Sequence, residues 1–321
     1  MYRAFYKLKR NPFDISPDPY FFYPTPSHNE ALVSLAYGVT RRKGFVAVTG
    51  EVGTGKTLLL RCLLEVLNRS QIAFAFVYNP RLSVSDFLEH ILTDLHLPLN
   101  GRSKTEMLSR LNSYLVARAR IGSTVALIVD EAQLLSWELL EELRLLTNLE
   151  TSQHKLLQIV LVGQPELDRK LDTAELRQLK QRIGLRCCLK PLGFEELRGY
   201  IHRRLELAGA KSDGDVIFAN GSLDVIYKFS RGIPRLVNTL CENSLISGYS
   251  KQATQITPRI VEEVAHDLRL KRVTASSTAD SDNSAVQKRI LKALSRMIDE
   301  LNGNSKNQPD EIDLKSGVGA E

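Results

Sequence analysis

The chain has 321 residues, of which 43% are hydrophobic and 25% charged, and its formal net charge is +6. This balance is typical of a globular protein of about two domains and excludes wholesale disorder. The apolar runs are only a handful of residues long, whereas a membrane helix needs about 20, so we expect no membrane span. The four cysteines show no CxxC spacing, which argues against disulfide scaffolds and zinc sites. No secretory signal is recognisable at the start, and we therefore expect a cytoplasmic protein.

The first 40 residues are irregular and rich in proline and aromatic side chains. Five prolines between residues 12 and 26 exclude a long helix before about Ser27. We interpret residues 1–40 as an N-terminal collar around a larger domain. The aromatic run 20–23 is expected to seal a sheet edge, and stacking on a nucleotide base is the alternative.

Residues 41–191 alternate short apolar runs with longer helical stretches, which is typical of a parallel sheet with crossover helices. The runs are continuous rather than alternating, so both faces of the sheet should be covered by helices. The predicted strands are Phe45–Thr49, Phe74–Tyr78, Val125–Asp130, Gln158–Val162 and Leu185–Leu189. The sequence therefore predicts an α/β fold for this part of the chain.

After Leu192 the strand pattern ends and a small all-α domain is predicted over residues 192–271. Its expected helices are 194–208, 223–230, 234–248 and 258–270. Residues 272–321 are predicted to form a linker, an amphipathic helix at 286–301 and a disordered tail. Docking on the protein itself or self-association is favoured for that helix over binding of a dedicated partner.

A Gly-rich stretch between the first predicted strand and the next helix carries the strongest motif. Residues 50–57 fit GxxxxGK[ST] in full, in the strand-to-helix context that a phosphate-binding P-loop requires. Backbone N–H groups of the loop would face phosphate oxygens, Lys56 would contact the β and γ phosphates, and Thr57 would bind Mg²⁺. The predicted ATP-binding residues are Gly50, Glu51, Val52, Gly53, Thr54, Gly55, Lys56, Thr57 and Leu58.

The buried strand predicted at 125–130 ends in two adjacent acids, Asp130 and Glu131. In a P-loop protein the first acid holds Mg²⁺ and the second accepts a proton from the attacking water. Asp130 is therefore the predicted metal residue, together with Thr57, and Glu131 is the predicted catalytic base. The alternative is that the pair only caps the helix beginning near Ser136.

A glutamine and three arginines are further candidates for catalysis. Gln164 follows the fourth strand, where its amide could orient water, although an exposed turn amide is the alternative. Arg182 and Arg186 flank the fifth strand, and one of them could reach a neighbouring subunit's phosphate. Arg235, at the start of a helix after Gly-Ile-Pro, could close over the same phosphate. For each arginine a solvated surface position remains open.

Taken together, these parts and their order resemble the AAA+ ATPases, with a P-loop sheet followed by a helical lid. The blocks Asn11-Pro-Phe, Pro26-Ser-His-Asn-Glu-Ala-Leu, Leu161-Val-Gly-Gln-Pro-Glu-Leu and Gln181-Arg-Ile resemble the ExeA/GspA family over about residues 1–270. That resemblance implies the Walker A motif at the P-loop and Walker B at the acid pair. It further implies that Gln164 is sensor 1, Arg182 the favoured arginine finger and Arg235 sensor 2.

The resemblance implies an ATPase of an envelope system for type II secretion, pilus biogenesis or polysaccharide export. Such an enzyme would form a homo-oligomeric ring or filament and reach the inner membrane through a partner. Secretion members typically continue into a membrane helix and a cell-wall domain, so we expect only their cytoplasmic part here. A DNA-handling ATPase, such as a transposition helper or loader, is the main alternative; a non-hydrolysing scaffold and a small-molecule kinase are less favoured.

Overall fold

The computed structural model describes residues 1–99, 103–151, 154–210 and 217–270. The chain divides into two compact units, Met1–Asp280 and Ser281–Glu321, and the second falls wholly outside the described residues. The helix predicted at 286–301 therefore lies outside the described part as well. Within that part, no helix is both long and apolar enough to cross a membrane.

A five-stranded, fully parallel sheet forms the centre of the first unit. The strands are β1 (Phe45–Gly50), β2 (Ala73–Val77), β3 (Val125–Val129), β4 (Leu157–Gly163) and β5 (Ile183–Leu189). Their order in the sheet is β2-β3-β4-β1-β5. The predicted α/β fold is confirmed, and the predicted strand ends differ from the observed ones by two residues at most. The strands could be predicted because every residue of β1, β3 and β4 is buried, so each strand appears in the sequence as a continuous apolar run.

Twelve α-helices are present in the described residues. They are α1 (Tyr2–Phe5), α2 (Pro26–Thr40), α3 (Lys56–Arg69), α4 (Val84–Asp94), α5 (Lys104–Arg120), α6 (Trp137–Leu146), α7 (Pro165–Leu171), α8 (Arg177–Lys180), α9 (Phe194–Leu207), α10 (Ser222–Ser230), α11 (Pro234–Ser250) and α12 (Pro258–Asp267). Several helices begin after a polar capping residue. The Ser103 side chain, for example, accepts a hydrogen bond from the Glu106 N–H at the start of α5. The short helices α1, α7 and α8 were not predicted, because a helix of four to seven residues is too short to show a helical repeat of apolar residues.

Side chains alternate along each strand, so the sheet has two apolar faces. Residues such as Ala126 and Ile128 of β3 pack with α2 and α3 on one face. Their neighbours Leu127 and Val129 pack with the helices α4 to α8 on the other. The sheet is thus buried between two helical layers, and its carboxyl ends are left to carry polar groups.

The helices α9 to α12 enclose a separate apolar core, which also takes in Tyr6, Leu8 and Phe13 of the N-terminal segment. The connection from β5 to α9 is fixed to the turn before α11, where Leu192 N–H donates to the Gly232 carbonyl at 2.8 Å. Gly232 has φ +71°, and a Cβ there would lie 1.9 Å from the Leu192 carbonyl oxygen. Only glycine fits this turn, which sets the position of the next residues, including Arg235.

Candidate functional site

The predicted P-loop connects the carboxyl end of β1 to the first residue of α3. Gly53 and Gly55 have φ of +84° and +98°, conformations in which a side chain would be strained. The Thr54 hydroxyl donates to the Glu51 carbonyl at 2.8 Å and so closes the turn. The loop therefore curls at the positive end of the α3 helix dipole, as phosphate binding requires.

A cavity opens directly beside this loop. It is bordered by the loop, Glu131, Gln164 after β4, the helical region and the N-terminal segment. Its lining residues are Asp14, Ile15, Ser16, Pro17, Val52, Gly53, Gly55, Lys56, Thr57, Leu58, Glu131, Gln164, Tyr200, Arg204, Pro234, Arg235 and Asn238. Six of the nine predicted ATP-binding residues thus face the cavity, while Gly50, Glu51 and Thr54 shape the loop behind it.

Lys56 is 6% exposed, and its ammonium donates to the carbonyls of Gly50 and Glu51 at 2.7 and 2.9 Å. Burial lowers the pKa of Lys56, and the carboxylates of Glu131 and Asp130 oppose that shift. The ammonium is therefore held at the base of the loop with acids nearby.

Asp130 directly follows β3 and is buried, and its N–H donates to the Val77 carbonyl at 2.9 Å. The Thr57 hydroxyl lies 3.4 Å from Asp130 Oδ2. Burial raises the pKa of Asp130, and the adjacent Glu131 charge adds to this, while the Glu131 N–H opposes it. A hydroxyl and a carboxylate facing each other fit Mg²⁺, which prefers oxygen ligands and keeps several waters.

The Glu131 carboxylate is held by two amides. Oε2 accepts from Gln164 Nε2 at 3.2 Å and from Gln133 Nε2 at 2.5 Å. Gln133 Oε1 in turn accepts the Gln164 main-chain N–H at 3.0 Å. The main chain of Glu131 has φ +50°, a left-handed conformation that is uncommon for a non-glycine residue and occurs at functional sites. The structure thus brings Glu131 and Gln164, which follow the neighbouring strands β3 and β4, into contact.

Gln133 was missed by the sequence analysis. The sequence gives little indication of it, because a glutamine two residues after an acid pair belongs to no known motif or repeat. Its place depends on the short 3-10 helix Ala132–Leu134, which turns the side chain back toward β4. A Cβ on Gly163 would lie 2.8 Å from Gln133 Oε1, so the end of β4 is closely packed against this amide.

Of the three candidate arginines, only Arg235 lines the cavity. Its main-chain N–H donates to the Gly53 carbonyl at 3.1 Å, which joins the helical region to the P-loop. Arg182 precedes β5, whose first residue pairs with the first residue of β1, so it lies at the opposite edge of the sheet. Arg186 forms ion pairs with Asp168 at 2.5 Å and with Asp172 at 3.0 Å. Neither Arg182 nor Arg186 borders the cavity.

The aromatic run 20–23 does not line the cavity. The Tyr23 ring meets that of Tyr200 at 6.0 Å, and the Arg204 guanidinium lies 5.1 Å from the Phe21 centroid. Phe21 and Tyr23 therefore pack against helix α9, whereas Phe22 packs against the apolar layer that α2 and α3 form on the sheet. Residues 14–17 and Tyr200 and Arg204 of α9 line the cavity instead, which no sequence motif indicated.

Comparisons with known proteins agree with this geometry. Residues 39–171 match the family of AAA domains. Over 269 residues, 84% of this chain, the sequence is 40% identical to general secretion pathway protein A of Aeromonas hydrophila, of which it spans 48%. The chain therefore covers about half the length of that curated relative.

Solved structures show the same fold at low identity. Cdc6p from Pyrobaculum aerophilum superposes with a TM-score of 0.60 and 20% identity, covering 79% of this chain and 70% of that one. Drosophila ORC bound to DNA superposes with a TM-score of 0.59 and 18% identity, and the match covers 84% of this chain and 66% of that one. The resemblance drawn from the motifs is thus confirmed: the chain contains an AAA domain with the P-loop fold and is a relative of general secretion pathway protein A.

Proposed function

We propose that the chain binds ATP with Mg²⁺, hydrolyses it, and uses the cycle to drive an export system of the cell envelope. The observation that supports hydrolysis best is the Glu131 carboxylate, which borders the same cavity as Lys56 and is oriented by the Gln164 amide. A scaffold that only bound nucleotide would have no use for a held base in this position.

Each side chain has a defined task in this proposal. The P-loop N–H groups and Lys56 bind the phosphates, and Thr57 with Asp130 would hold Mg²⁺, which offsets phosphate charge when bound. Glu131 accepts the proton of the attacking water, while Gln164 orients that water. Since transition-state charge develops on the γ phosphate, a cation at this point favours reaction.

Arg235 supplies that cation from the helical region. Because its main chain is hydrogen bonded to Gly53, a change at the phosphate is passed to α11 and to the core that α11 shares with the N-terminal segment. We therefore propose that residues 192–271 act as a lid that shifts between the ATP and ADP states.

Arg182 is proposed to act in a neighbouring subunit. Its position at the edge of the sheet opposite the P-loop is what a head-to-tail assembly requires, since a residue at one edge then meets the other edge of the next copy. Arg186 is the weaker candidate, because two aspartates already neutralise it. Homo-oligomerisation should accordingly raise turnover, and dilution should lower it.

The link to export rests on the 40% identity to general secretion pathway protein A. In the host cell, we expect replacement of the gene by its Glu131→Gln form to stop export of a protein, pilus subunit or polysaccharide. Normal export in that strain, with the variant present at wild-type level, would reject the coupling.

A DNA-handling ATPase is the second candidate, favoured by the net charge of +6 and by fold neighbours such as Drosophila ORC bound to DNA. Phosphate release from Mg·ATP, measured with and without duplex DNA, separates the two candidates. The export proposal predicts turnover that rises with protein concentration and is indifferent to DNA. Stimulation by DNA that falls steeply with salt would favour the second candidate.

A further inference from the structure

A buried histidine outside the cavity contacts the back of the P-loop. His28 lies in the first turn of α2, is 6% exposed, and is hydrogen bonded through both ring nitrogens. Nδ1 lies 2.6 Å from the Thr25 hydroxyl, and Nε2 lies 2.8 Å from the main-chain carbonyl oxygen of Thr54. This contact joins a helix of the sheet layer to the centre of the phosphate-binding loop.

The partners fix the protonation of the ring. A carbonyl oxygen only accepts, so Nε2 carries the hydrogen and donates it to Thr54. Nδ1 then accepts from the Thr25 hydroxyl, whose oxygen also accepts the His28 main-chain N–H at 3.3 Å. Burial lowers the pKa of His28, which favours this neutral ring.

The ring is also closely packed. The Phe22 ring meets it edge to face at a centroid distance of 6.2 Å. On the loop side, a Cβ added to Gly55 would lie 3.2 Å from Nε2. The imidazole is therefore held in one orientation, with its donor aimed at the loop.

A peptide group is planar and trans, so its C=O and N–H point in opposite directions. The carbonyl of the Thr54–Gly55 peptide points at His28, behind the loop. Its N–H, on Gly55, therefore points to the other side, where Gly55 lines the cavity. Rotation of this peptide would turn an oxygen rather than an N–H toward the phosphates and weaken binding of the anion.

We propose that His28 is a positioning residue for nucleotide binding, which orients the Thr54–Gly55 peptide so that its N–H faces the phosphates. This inference rests on the proposed nucleotide site and adds to it a residue on α2. It predicts that the hydrogen-bond donor at position 28, and not merely a side chain of that volume, sets the affinity for the triphosphate.

Substitutions of similar size separate these two roles. His28→Leu fills the space without a donor, whereas His28→Gln places an amide N–H near the position of Nε2. His90 provides a matched control, since its Nε2 contacts the Phe76 carbonyl at 3.2 Å in β2, away from the loop. The full chain carrying each substitution is titrated with the non-hydrolysable analogue AMP-PNP and Mg²⁺, and its unliganded Tm is recorded.

We expect His28→Leu to raise the Kd by about five- to tenfold, the value of one hydrogen bond whose acceptor is left without a donor. His28→Gln should stay within about twofold of wild type, and His90→Leu should not change the Kd. A wild-type Kd for His28→Leu, or equal weakening in His28→Leu and His28→Gln, would overturn the proposal.

Lys56→Ala separates this outcome from failure of the site itself. If wild type binds AMP-PNP no better than Lys56→Ala, the proposed nucleotide site is wrong, whatever His28 does. If His28→Leu does not fold, His28→Asn is used in its place. The asparagine amide can still contact Thr25, but the side chain is too short to reach the Thr54 carbonyl. Loss of affinity in His28→Asn then supports the proposal, and unchanged affinity rejects it.

Discussion

The two edges of the parallel sheet carry similar polar residues and use them differently. At the carboxyl edge, Lys56, Glu131 and Gln164 border a cavity. At the amino edge, Gln158 and Arg42 are hydrogen bonded to main-chain groups of the adjoining loops. Ligand sites of open α/β folds lie outside the carboxyl ends of the strands, and the structure shows what the other edge does instead.

Gln158 illustrates the amino edge. It is 1% exposed; Oε1 accepts the Gly44 N–H at 2.8 Å, and Nε2 donates to the Lys155 carbonyl at 2.8 Å. Arg42 Nη2 donates to the Gly122 carbonyl at 2.7 Å. These amide and guanidinium groups hold the turns that enter the strands.

The type of a polar residue alone therefore does not show whether it takes part in chemistry. What differs is whether nearby main-chain groups already have partners. Turns entering the strands leave N–H and C=O groups that side chains must satisfy. At the carboxyl edge, the P-loop that follows β1 and Glu131 that follows β3 border the cavity instead.

The largest effect is expected at the base. Glu131→Gln should lower turnover by about 10²- to 10⁴-fold while leaving the affinity for Mg·ATP close to wild type, because an amide cannot accept the proton. Steady-state phosphate release and equilibrium binding of ATP provide the two measurements. Turnover that survives the substitution would remove Glu131 from the role of base.

Arg182 tests whether the amino edge also serves catalysis in a neighbouring copy. Arg182→Ala should lower turnover of concentrated protein by about 10²- to 10³-fold, the scale of losing one preorganised donor to transition-state charge. Nucleotide affinity should change little.

The matched control is Arg42→Ala at the same edge. Arg182 Nη1 donates to the Arg144 carbonyl at 3.0 Å and to the side chains of Thr147 and Asn148. Arg42 also donates to a main-chain carbonyl, so each substitution removes a hydrogen bond of this kind. Similar loss of turnover in the two variants would make Arg182 a purely structural residue.

Gln158 tests whether polar side chains at the amino edge stabilise the fold without affecting nucleotide binding. Gln158→Leu should reduce the free energy of unfolding by about 1–3 kcal/mol, because the Gly44 N–H and the Lys155 carbonyl lose their partner. Chemical denaturation measures this loss. Affinity for Mg·ATP, measured on the folded variant, should remain at the wild-type value; a change there would mean that the two edges are coupled.

The smallest effect concerns pH. Because the pKa of Asp130 is raised by burial, acidification protonates it at a higher pH than it would an exposed aspartate. Mg²⁺ affinity in the presence of nucleotide should therefore fall on mild acidification, by at most about tenfold per pH unit, the limit for one proton.

The raised pKa of Asp130 has the opposite effect on the stability of the unliganded protein, which acidification should increase. The folded state binds this proton more tightly than the unfolded state, so the Asp130 contribution to stability declines as the pH rises through its raised pKa. Asp130→Asn should lose that pH dependence. Thermal unfolding across this pH range checks it, and an unchanged profile in the variant would reject the assignment.

The features that the sequence predicted are local ones. Continuous apolar runs identified the strands, and the P-loop, the acid pair and Gln164 each follow directly from a strand. Positions set by packing between distant segments were not predicted. His28 reaches Thr54 across 26 residues, and Arg204 reaches the Pro12 carbonyl across 192. No short motif encodes such contacts, because they exist only once α2 and α9 are docked.

We propose that one cavity at the carboxyl edge holds the triphosphate between the P-loop and the acid pair. A crystal structure of the chain with Mg²⁺ and AMP-PNP is the decisive measurement. We expect phosphates against the N–H groups of residues 53–57, with Mg²⁺ held by Thr57 and Asp130 and the Glu131 carboxylate facing the γ phosphate. A nucleotide bound elsewhere, or acids turned away from it, would show that this cavity is not the nucleotide site.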